Sequence, residues 1–304
     1  MSKQPHIIYI LSDEHCGFAM THAGDPNLRT PNMDALSSEG VSFERAYANC
    51  PVCTPSRGTI FSGRHAHSGP VQGFFDQVPP EMRDTTGRPG KPYWPMRTPE
   101  YHRGGFEDWY GFEVNNAPFE GFYYQNDETN PRWMKKYQTD ELTDLAIDYL
   151  NRYEGEKPLF LVLSVEPPHF PLDAPKENQR FDPAALQTRA NFHDSSENRE
   201  QLAMYYAMIE NLDQNIGRLR ESLDTVPKFK ENTLSVYFSD HGDFMGSHDV
   251  FQRKEYPHEE SVRIPAIFHW PEQIPAKGVT PELWSLVDLL PTTLGLAGAE
   301  IPSY

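Results

Sequence analysis

The sequence predicts an α/β fold with a large, mostly parallel central sheet and helices on both of its faces. Short apolar runs predict four strands, at Ile7–Leu11, Leu159–Val165, Leu234–Phe238 and Ile264–His269. Helical patterns lie between and around these runs, at Pro31–Glu39, Pro55–Phe61, Asp140–Tyr153, Glu197–Asp224 and Leu283–Ala297. Nearly continuous apolar strands that alternate with helices are typical of a parallel sheet buried on both faces.

Length and composition limit the classes of protein that this chain can belong to. Its 304 residues, 38% of them hydrophobic, allow one large domain or two ordinary ones. The formal charge of −17 argues against nucleic acid or an anionic membrane as the main partner. Three cysteines cannot form a disulfide framework, and no apolar run reaches the length of a membrane span. The first strand begins too early to leave room for a signal peptide, so we expect a cytoplasmic protein.

Polar side chains follow three of the predicted strands directly. Ser12-Asp13-Glu14 follows the first, Glu166-Pro-Pro-His169 the second and Ser239-Asp240-His241-Gly242 the third. In a parallel sheet, ligands gather at the carboxyl ends of the strands. Adjacent buried carboxylates repel each other, and a divalent cation relieves that repulsion. Carboxylate oxygens favour Ca²⁺ or Mg²⁺, whereas an imidazole favours Mn²⁺ or Zn²⁺. Each group taken singly is also compatible with a helix cap or a polar turn.

Residues 51–64 place a cysteine at the start of a predicted helix. Thr54 can cap this helix, and Pro55 suits its first turn. Arg57 lies one turn further on, facing any anion held at the positive end of the helix. Cys53 therefore lies at an anion-binding position, although a cysteine before a helix is also compatible with a buried, inert thiol.

The ordered set of motifs resembles the sulfatase family over most of the chain. The run Cys53-Thr-Pro-Ser-Arg57, followed by Ser62-Gly-Arg64, is similar to the family signature, with Ser62 in place of the usual threonine. Four further segments resemble family motifs in the same order, namely residues 7–14, 30–43, 238–265 and 286–292. The resemblance implies an alkaline-phosphatase-like catalytic domain over residues 1–304, with the family's smaller C-terminal subdomain absent or cut short. It also implies hydrolysis of an organic sulfate ester.

The resemblance implies a role for each matching residue. In this family the signature cysteine, here Cys53, is converted to formylglycine by a maturation enzyme. The implied ligands of a divalent metal, most simply Ca²⁺ but also Mg²⁺ or Mn²⁺, are Asp13, Glu14, converted Cys53, Asp240 and His241. Glu14 departs from the aspartate that is common at its position. The implied catalytic residues are Cys53, Arg57 for charge stabilisation, Asp240 as a possible base, Lys254 on the sulfate oxygens and His169 at the leaving group.

One segment departs from the family pattern. The usual Gly-Lys-Trp-His run is replaced by residues 90–94, Gly-Lys-Pro-Tyr-Trp, which makes Lys91 a substitute for the sulfate-binding lysine. His102 is a further substitute, and His65 and His67 are candidate substrate contacts. Residues 68–138, rich in Pro, Gly and aromatic residues, are predicted to form long loops on the substrate side, and residues 166–196 are also predicted to be loop-like.

Two other functions remain open from the sequence. A phosphonate monoester or phosphodiester hydrolase of the same superfamily would use a similar tetrahedral anion site. The missing Gly-Lys-Trp-His run is also compatible with an impaired protein that binds a sulfated ligand without turnover. The expected partners are a small-molecule or saccharide sulfate ester and a formylglycine-generating enzyme, with no nucleic acid and no membrane span.

Overall fold

A six-stranded sheet forms the centre of the computed structural model, which describes residues 4–69, 98, 100–112, 116–248 and 254–303. The strands are β1 (His6–Ser12), β2 (Val41–Tyr47), β3 (Tyr110–Gly111), β4 (Phe122–Gln125), β5 (Arg132–Trp133), β6 (Phe160–Ser164), β7 (Thr233–Ser239), β8 (Ala266–His269) and β9 (Gly278–Ser285). The helices are α1 (Pro31–Glu39), α2 (Cys53–Ser62), α3 (Gln138–Arg152), α4 (Ser196–Thr225), α5 (Pro227–Lys230), α6 (Glu259–Val262) and α7 (Leu289–Leu296).

The order of the strands in the main sheet brings the predicted polar clusters to one edge. The order is β6-β1-β7-β8-β2-β9, and only β8 runs antiparallel to its neighbours. In the parallel register, Ser12 pairs with Ser239 and Leu11 pairs with Ser164. The carboxyl ends of β1, β6 and β7 therefore lie side by side, as the sequence predicts. The mostly parallel α/β fold is confirmed.

The sheet is covered on both faces, because successive side chains of a strand point in opposite directions. In β1, Ile8 and Ile10 join a core with α1, α3 and α4, whereas Tyr9 and Leu11 join a second core with α2 and α7. All seven residues of β7 are buried. This double burial explains why the central strands appear in the sequence as continuous apolar runs.

The structure corrects the prediction of a helix over Leu283–Ala297. Residues up to Ser285 belong to β9, which pairs with β2 at the edge of the sheet, and helix α7 begins only at Leu289. Ser285 and Asp288 form a reciprocal capping box around a short 3₁₀ turn that separates strand from helix. The sequence pattern did not predict β2 or β9, because both lie near the sheet edge and alternate polar with apolar residues.

The described parts of the two predicted loop regions are largely irregular, with one correction. Residues 166–196 contain only short 3₁₀ helices and turns until α4 begins at Ser196, as expected. In the predicted loop over residues 68–138, of which residues 70–97, 99 and 113–115 lie outside the description, β3, β4 and β5 form a small antiparallel sheet that the sequence pattern did not predict. Among the described residues, no helix combines the length and the apolar character that crossing a membrane requires.

Helix α4 supplies the cap for the start of α1. Thr30 makes no side-chain cap, and instead the buried Asp213 accepts hydrogen bonds from the backbone of Asn32 and Met33 at 3.1 and 2.8 Å. The side-chain amide of Asn32 donates a third bond at 2.8 Å. Backbone N–H groups in a first helical turn have no partner within the helix, so this carboxylate replaces a local cap.

We expect Asp213→Ala to lower the free energy of unfolding by about 3 kcal/mol, because it leaves several buried donors without an acceptor. Chemical denaturation followed by circular dichroism measures the change. Glu221→Ala, on the exposed side of the same helix, is the control and should change stability by less than about 0.5 kcal/mol. Equal effects of the two substitutions would contradict the capping role.

Candidate active site

The ends of β1 and β7 bring two pairs of polar residues into contact. Asp13 and Glu14 follow β1, and Asp240 and His241 follow β7; all four side chains are buried. The backbone N–H of Glu14 donates to Asp240 Oδ1 at 3.4 Å, and the N–H of Asp240 donates to the carbonyl of Ser12 at 3.3 Å. Parallel pairing of the two strands therefore fixes the distance between these carboxylates.

Helix α2 begins at Cys53, directly beside these strand ends. Val52 is the N-cap and makes no side-chain cap, so the prediction that Thr54 caps the helix is wrong; the helix starts two residues earlier than predicted, at Cys53. Pro55 lies in the first turn, as predicted. Ser56 donates its hydroxyl hydrogen to the carbonyl of Asp240 at 2.6 Å, which ties the helix to the end of β7.

The Cys53 thiol faces charged groups rather than an apolar interior. Its Sγ lies 3.1 Å from His241 Nε2, 3.5 Å from Asp13 Oδ1 and 3.0 Å from Lys254 Nζ. The side chain is nearly buried, with 7% of its surface exposed. Burial, and next the charge of Asp13, raise the pKa of the thiol to about 11. The thiol is therefore protonated at neutral pH.

The positive charge of Arg57 offsets the negative charges of the two carboxylates that it contacts. Its guanidinium donates to Asp13 Oδ2 and Asp240 Oδ2, both at 3.0 Å, and to Ser164 Oγ at 2.9 Å. Burial alone would raise the pKa of Asp13, but the charges of Arg57 and His169 outweigh burial and lower it. The planar group of an arginine suits this arrangement, because its fixed donors can serve several acceptors at once.

Glu14, Lys254 and His169 form a second charged group on the other side of the thiol. Lys254 Nζ lies 2.5 Å from Glu14 Oε1, and His169 Nε2 lies 3.2 Å from the same oxygen. Burial would raise the pKa of Glu14, but the charges of His169 and Lys254 bring it to about 2. Burial would lower the pKa of His169, but a hydrogen bond with Cys53 and the charge of Glu14 raise it to about 10.

The turn after β6 directs His169 into the site. His169 Nδ1 contacts the carbonyl of Phe170, which leaves Nε2 facing Glu14 and Lys254. The turn is held to α3 by a reciprocal pair of hydrogen bonds: Gln138 Nε2 donates to Glu166 Oε2 at 2.9 Å, and the Glu166 backbone donates to Gln138 Oε1 at 2.8 Å. Burial raises the pKa of Glu166 to about 7.

The donor set fits a divalent cation. In the part of the chain that the structure describes, one group of metal-ligating atoms lies within 4.8 Å of one another, from Asp13, Glu14, Cys53 and His241. His241 Nδ1 contacts its neighbour's carbonyl at 2.8 Å, which leaves the Nε2 lone pair directed at the group. Glu14 Oε2 is buried and finds no hydrogen-bond partner among the described residues. A buried carboxylate oxygen without a donor is the feature that a bound cation would satisfy.

Asp240, also a predicted ligand, lies beside this group with its Oδ2 bonded to Arg57. Four other predicted site residues are not among those that contact Cys53 and its neighbours. His65 and His67 follow the end of α2, a helix of ten residues and about 15 Å that begins at Cys53. Lys91 lies outside the described residues, as do the rest of residues 90–94. His102 lies in a 3₁₀ turn over residues 100–102, and its side chain is outside the description.

The structure adds supporting residues that the sequence analysis did not single out. Ser164 ends β6 and accepts from Arg57, and Gln138 holds the turn that carries His169. Tyr205, on α4, donates to the carbonyl of Glu14 at 2.8 Å. The sequence analysis could have found Ser164, because this residue lies at the carboxyl end of a strand, where the other site residues were predicted. Nothing local marks Gln138 or Tyr205.

Comparison with known proteins identifies the family of this chain. A family model described as Sulfatase matches residues 5–299. An ulvan-active sulfatase from Formosa agariphila is 34% identical over 324 residues, which cover 98% of this chain and 63% of that relative. The chain therefore spans less than two thirds of the length of this curated relative.

Solved structures share the fold. The crystal structure of the yidJ protein from Bacteroides fragilis is similar with a TM-score of 0.87 and 26% identity, over 97% of this chain and 74% of that one. A phosphonate monoester hydrolase of Agrobacterium radiobacter has the same fold, with a TM-score of 0.71, 21% identity and the same two coverages. Because the family model spans nearly the whole chain and the Formosa relative is more than 30% identical to it, the chain belongs to the sulfatase family.

Proposed function

We propose that this chain hydrolyses an organic sulfate ester with the help of a divalent cation and a modified residue 53. The observation that carries the proposal is the set of groups around the Cys53 thiol. His241, Lys254 and Asp13 all lie within 3.5 Å of Sγ, although they come from distant parts of the chain. Family membership and the names of the relatives, several of them sulfatases of saccharides, support the same reaction class.

The charge of the site suits a singly charged anion. Three carboxylates, from Asp13, Glu14 and Asp240, lie against Arg57, Lys254 and the His169 imidazolium, so their charges balance when no metal is bound. A bound divalent cation would then give the site a net positive charge. A sulfate ester carries one negative charge, and the site would attract it although the whole chain carries −17.

The cation would be held by Asp13, Glu14, Asp240 and His241, together with an oxygen on converted residue 53. We propose Ca²⁺ on the oxygen-rich donor set, with Mg²⁺ or Mn²⁺ as the alternatives that the His241 imidazole allows. When bound, the cation would act as a Lewis acid toward the ester and lower the pKa of a hydroxyl on the formylglycine hydrate, which is the proposed nucleophile.

The chain's own residues would bind the sulfate group and complete the proton transfers. Lys254, which lies 3.0 Å from Sγ, would contact the sulfate oxygens and offset the charge that develops on them. Arg57 would hold Asp13 and Asp240 in place from the opposite side. Asp240 would accept a proton from the nucleophile, and His169, whose Nε2 lies 3.2 Å from Glu14 Oε1, would donate a proton to the leaving group.

A phosphonate monoester or phosphodiester is the second candidate substrate. Both are singly charged tetrahedral anions, and the fold is shared with a phosphonate monoester hydrolase at a TM-score of 0.71. The ratio of kcat/KM for matched sulfate and phosphodiester substrates separates the two functions. We expect the sulfate ester to be preferred.

The proposed function predicts activity that depends on residue 53 and on a divalent cation. Protein co-expressed with a formylglycine-generating enzyme should carry the aldehyde at residue 53, measured by peptide mass spectrometry, and should hydrolyse aryl or saccharide sulfates. Removing the cation with a chelator, or introducing Cys53→Ala, should lower kcat/KM by at least about a thousandfold, because either change removes a principal transition-state interaction.

The matched control is Cys50→Ala, three residues earlier and outside the ligand group, which should leave kcat/KM within about threefold. A fully converted, cation-loaded protein that leaves every sulfate ester intact would contradict the proposal. Binding of a sulfated saccharide without turnover would then indicate a binding protein instead.

The proposed acid role of His169 predicts a dependence on the leaving group. His169→Asn should lower kcat/KM for alkyl or sugar sulfates by about 10²–10⁴-fold, because a poorly stabilised alkoxide needs a proton. The loss should be much smaller for p-nitrophenyl sulfate, whose phenolate leaves readily. The same loss for both classes of substrate would assign His169 to binding rather than to proton transfer.

Arg57 should stabilise the metal-free fold as well as the site. Arg57→Met leaves Asp13 and Asp240 buried without their cation, so we expect the free energy of unfolding to fall by about 3 kcal/mol in the presence of a chelator. Added Ca²⁺ should recover part of the loss, because it neutralises the same carboxylates. Arg64→Met, at an exposed position beyond α2, is the control; a loss no larger than that of the control would contradict this role.

A further inference from the structure

The turn that presents Glu14 adopts an unusual backbone conformation. Glu14 has a φ of +64°, in the left-handed region that residues with a side chain rarely adopt. The chain leaves β1 at Ser12 and bends at Asp13 and Glu14 before it reaches Cys16. A left-handed backbone conformation costs free energy in a residue with a side chain, so neighbouring groups must stabilise this turn.

Tyr205 is that group. Its hydroxyl donates to the carbonyl of Glu14 at 2.8 Å and accepts from the backbone N–H of Cys16 at 2.8 Å. One buried hydroxyl therefore closes the turn from both sides, using its proton and a lone pair. The side chain is 1% exposed and comes from α4, a thirty-residue helix that packs into the core on one face of the sheet.

The turn also decides where the Glu14 side chain lies. Its Oε1 contacts Lys254, and its buried Oε2, at the proposed cation site, has no hydrogen-bond partner in the described part of the chain. His15 has a separate support, since its N–H donates to Ser239 Oγ at 3.0 Å. Without the Tyr205 bridge, the carbonyl of Glu14 and the N–H of Cys16 would lose their hydrogen bonds, while the N–H groups of Glu14 and His15 stayed bonded to Asp240 and Ser239. The Glu14 carboxylate would then be held less firmly beside Asp13.

We propose that Tyr205 is a positioning residue for the cation site, and that its hydroxyl sets cation affinity by holding the left-handed turn at Glu14. This inference rests on the proposed function, in which Glu14 is a cation ligand. Residues that orient metal ligands typically change metal affinity 10–100-fold when they are removed. The Tyr205 hydroxyl bonds two backbone groups and lies outside the ligand group, so it would contact neither the cation nor the substrate.

The next residue along the helix provides a matched control. Tyr206 is also buried, with 3% of its surface exposed, and its hydroxyl donates to Asp25 Oδ2 at 2.7 Å. Tyr206→Phe therefore removes one buried tyrosine hydroxyl from the same helix without touching the Glu14 turn. If the loss of any buried tyrosine hydroxyl weakened the fold and thereby cation binding, both variants would show the effect.

The test is calorimetric titration of the full chain with Ca²⁺ alone, repeated with Mn²⁺, in the absence of substrate. Tyr205→Phe should raise the Kd about 10–100-fold, and Tyr206→Phe should leave it within about threefold. In a Glu14→Ala background, adding Tyr205→Phe should raise the Kd no further, because the ligand that it positions is already gone.

Equal Kd values for the two tyrosine variants would overturn the inference and leave the proposed function standing. A further loss of affinity on adding Tyr205→Phe to Glu14→Ala would also overturn it. The hydroxyl would then affect cation binding by a route that does not involve Glu14. Failure of the unsubstituted protein to bind either cation would overturn both proposals. The shift of the chemical unfolding midpoint on adding Ca²⁺ gives the same comparison for a variant that is only partly folded.

Discussion

The structure depends on neutralising the negative charges of three carboxylates that are buried close together at one edge of the sheet. Parallel pairing of β1 with β7 places Asp13, Glu14 and Asp240 side by side, where burial penalises their charged forms. Arg57 bonds two of the three carboxylates, and Lys254 bonds the third. His169, which lies 3.2 Å from Glu14 Oε1 and has a pKa raised to about 10, supplies the third positive charge. The reason to expect a divalent ion is the buried Glu14 Oε2, which has no hydrogen-bond donor among the described residues.

The surrounding helices and turns hold the charged groups at fixed distances from one another. Helix α2 provides both Cys53 and Arg57, one turn apart, and Ser56 ties the same helix to the carbonyl of Asp240. On the other side, the Gln138–Glu166 pair secures the turn that carries His169. Helix α4 acts twice, at the start of α1 through Asp213 and at the Glu14 turn through Tyr205. Rigid elements thus set the distances on which the proposed chemistry depends.

The sequence predicted the central strands well because they are buried on both faces. Runs such as Leu234–Phe238 have no competing interpretation as a surface segment, and β7 extends only one residue beyond that run at each end. The edge strands were missed for the opposite reason. In β9, the apolar residue Leu283 is 68% exposed and Pro281 interrupts the run, so the pattern resembles a helix start more than a strand. Pairing with β2 decides its conformation, and pairing is a long-range contact.

The sequence by itself determined the features that depend on neighbours along the chain. The spacing of Cys53, Pro55 and Arg57 follows from helix geometry, and the polar residues after each strand follow from where apolar runs end. The family resemblance assigned Lys254 and His169 to the site, but only the tertiary structure brings Lys254 to the Cys53 thiol and His169 to Lys254. Tertiary structure alone decided that Tyr205 holds Glu14. Those contacts join segments far apart in the chain. They are set by strand register and helix packing, which no local pattern of residues encodes.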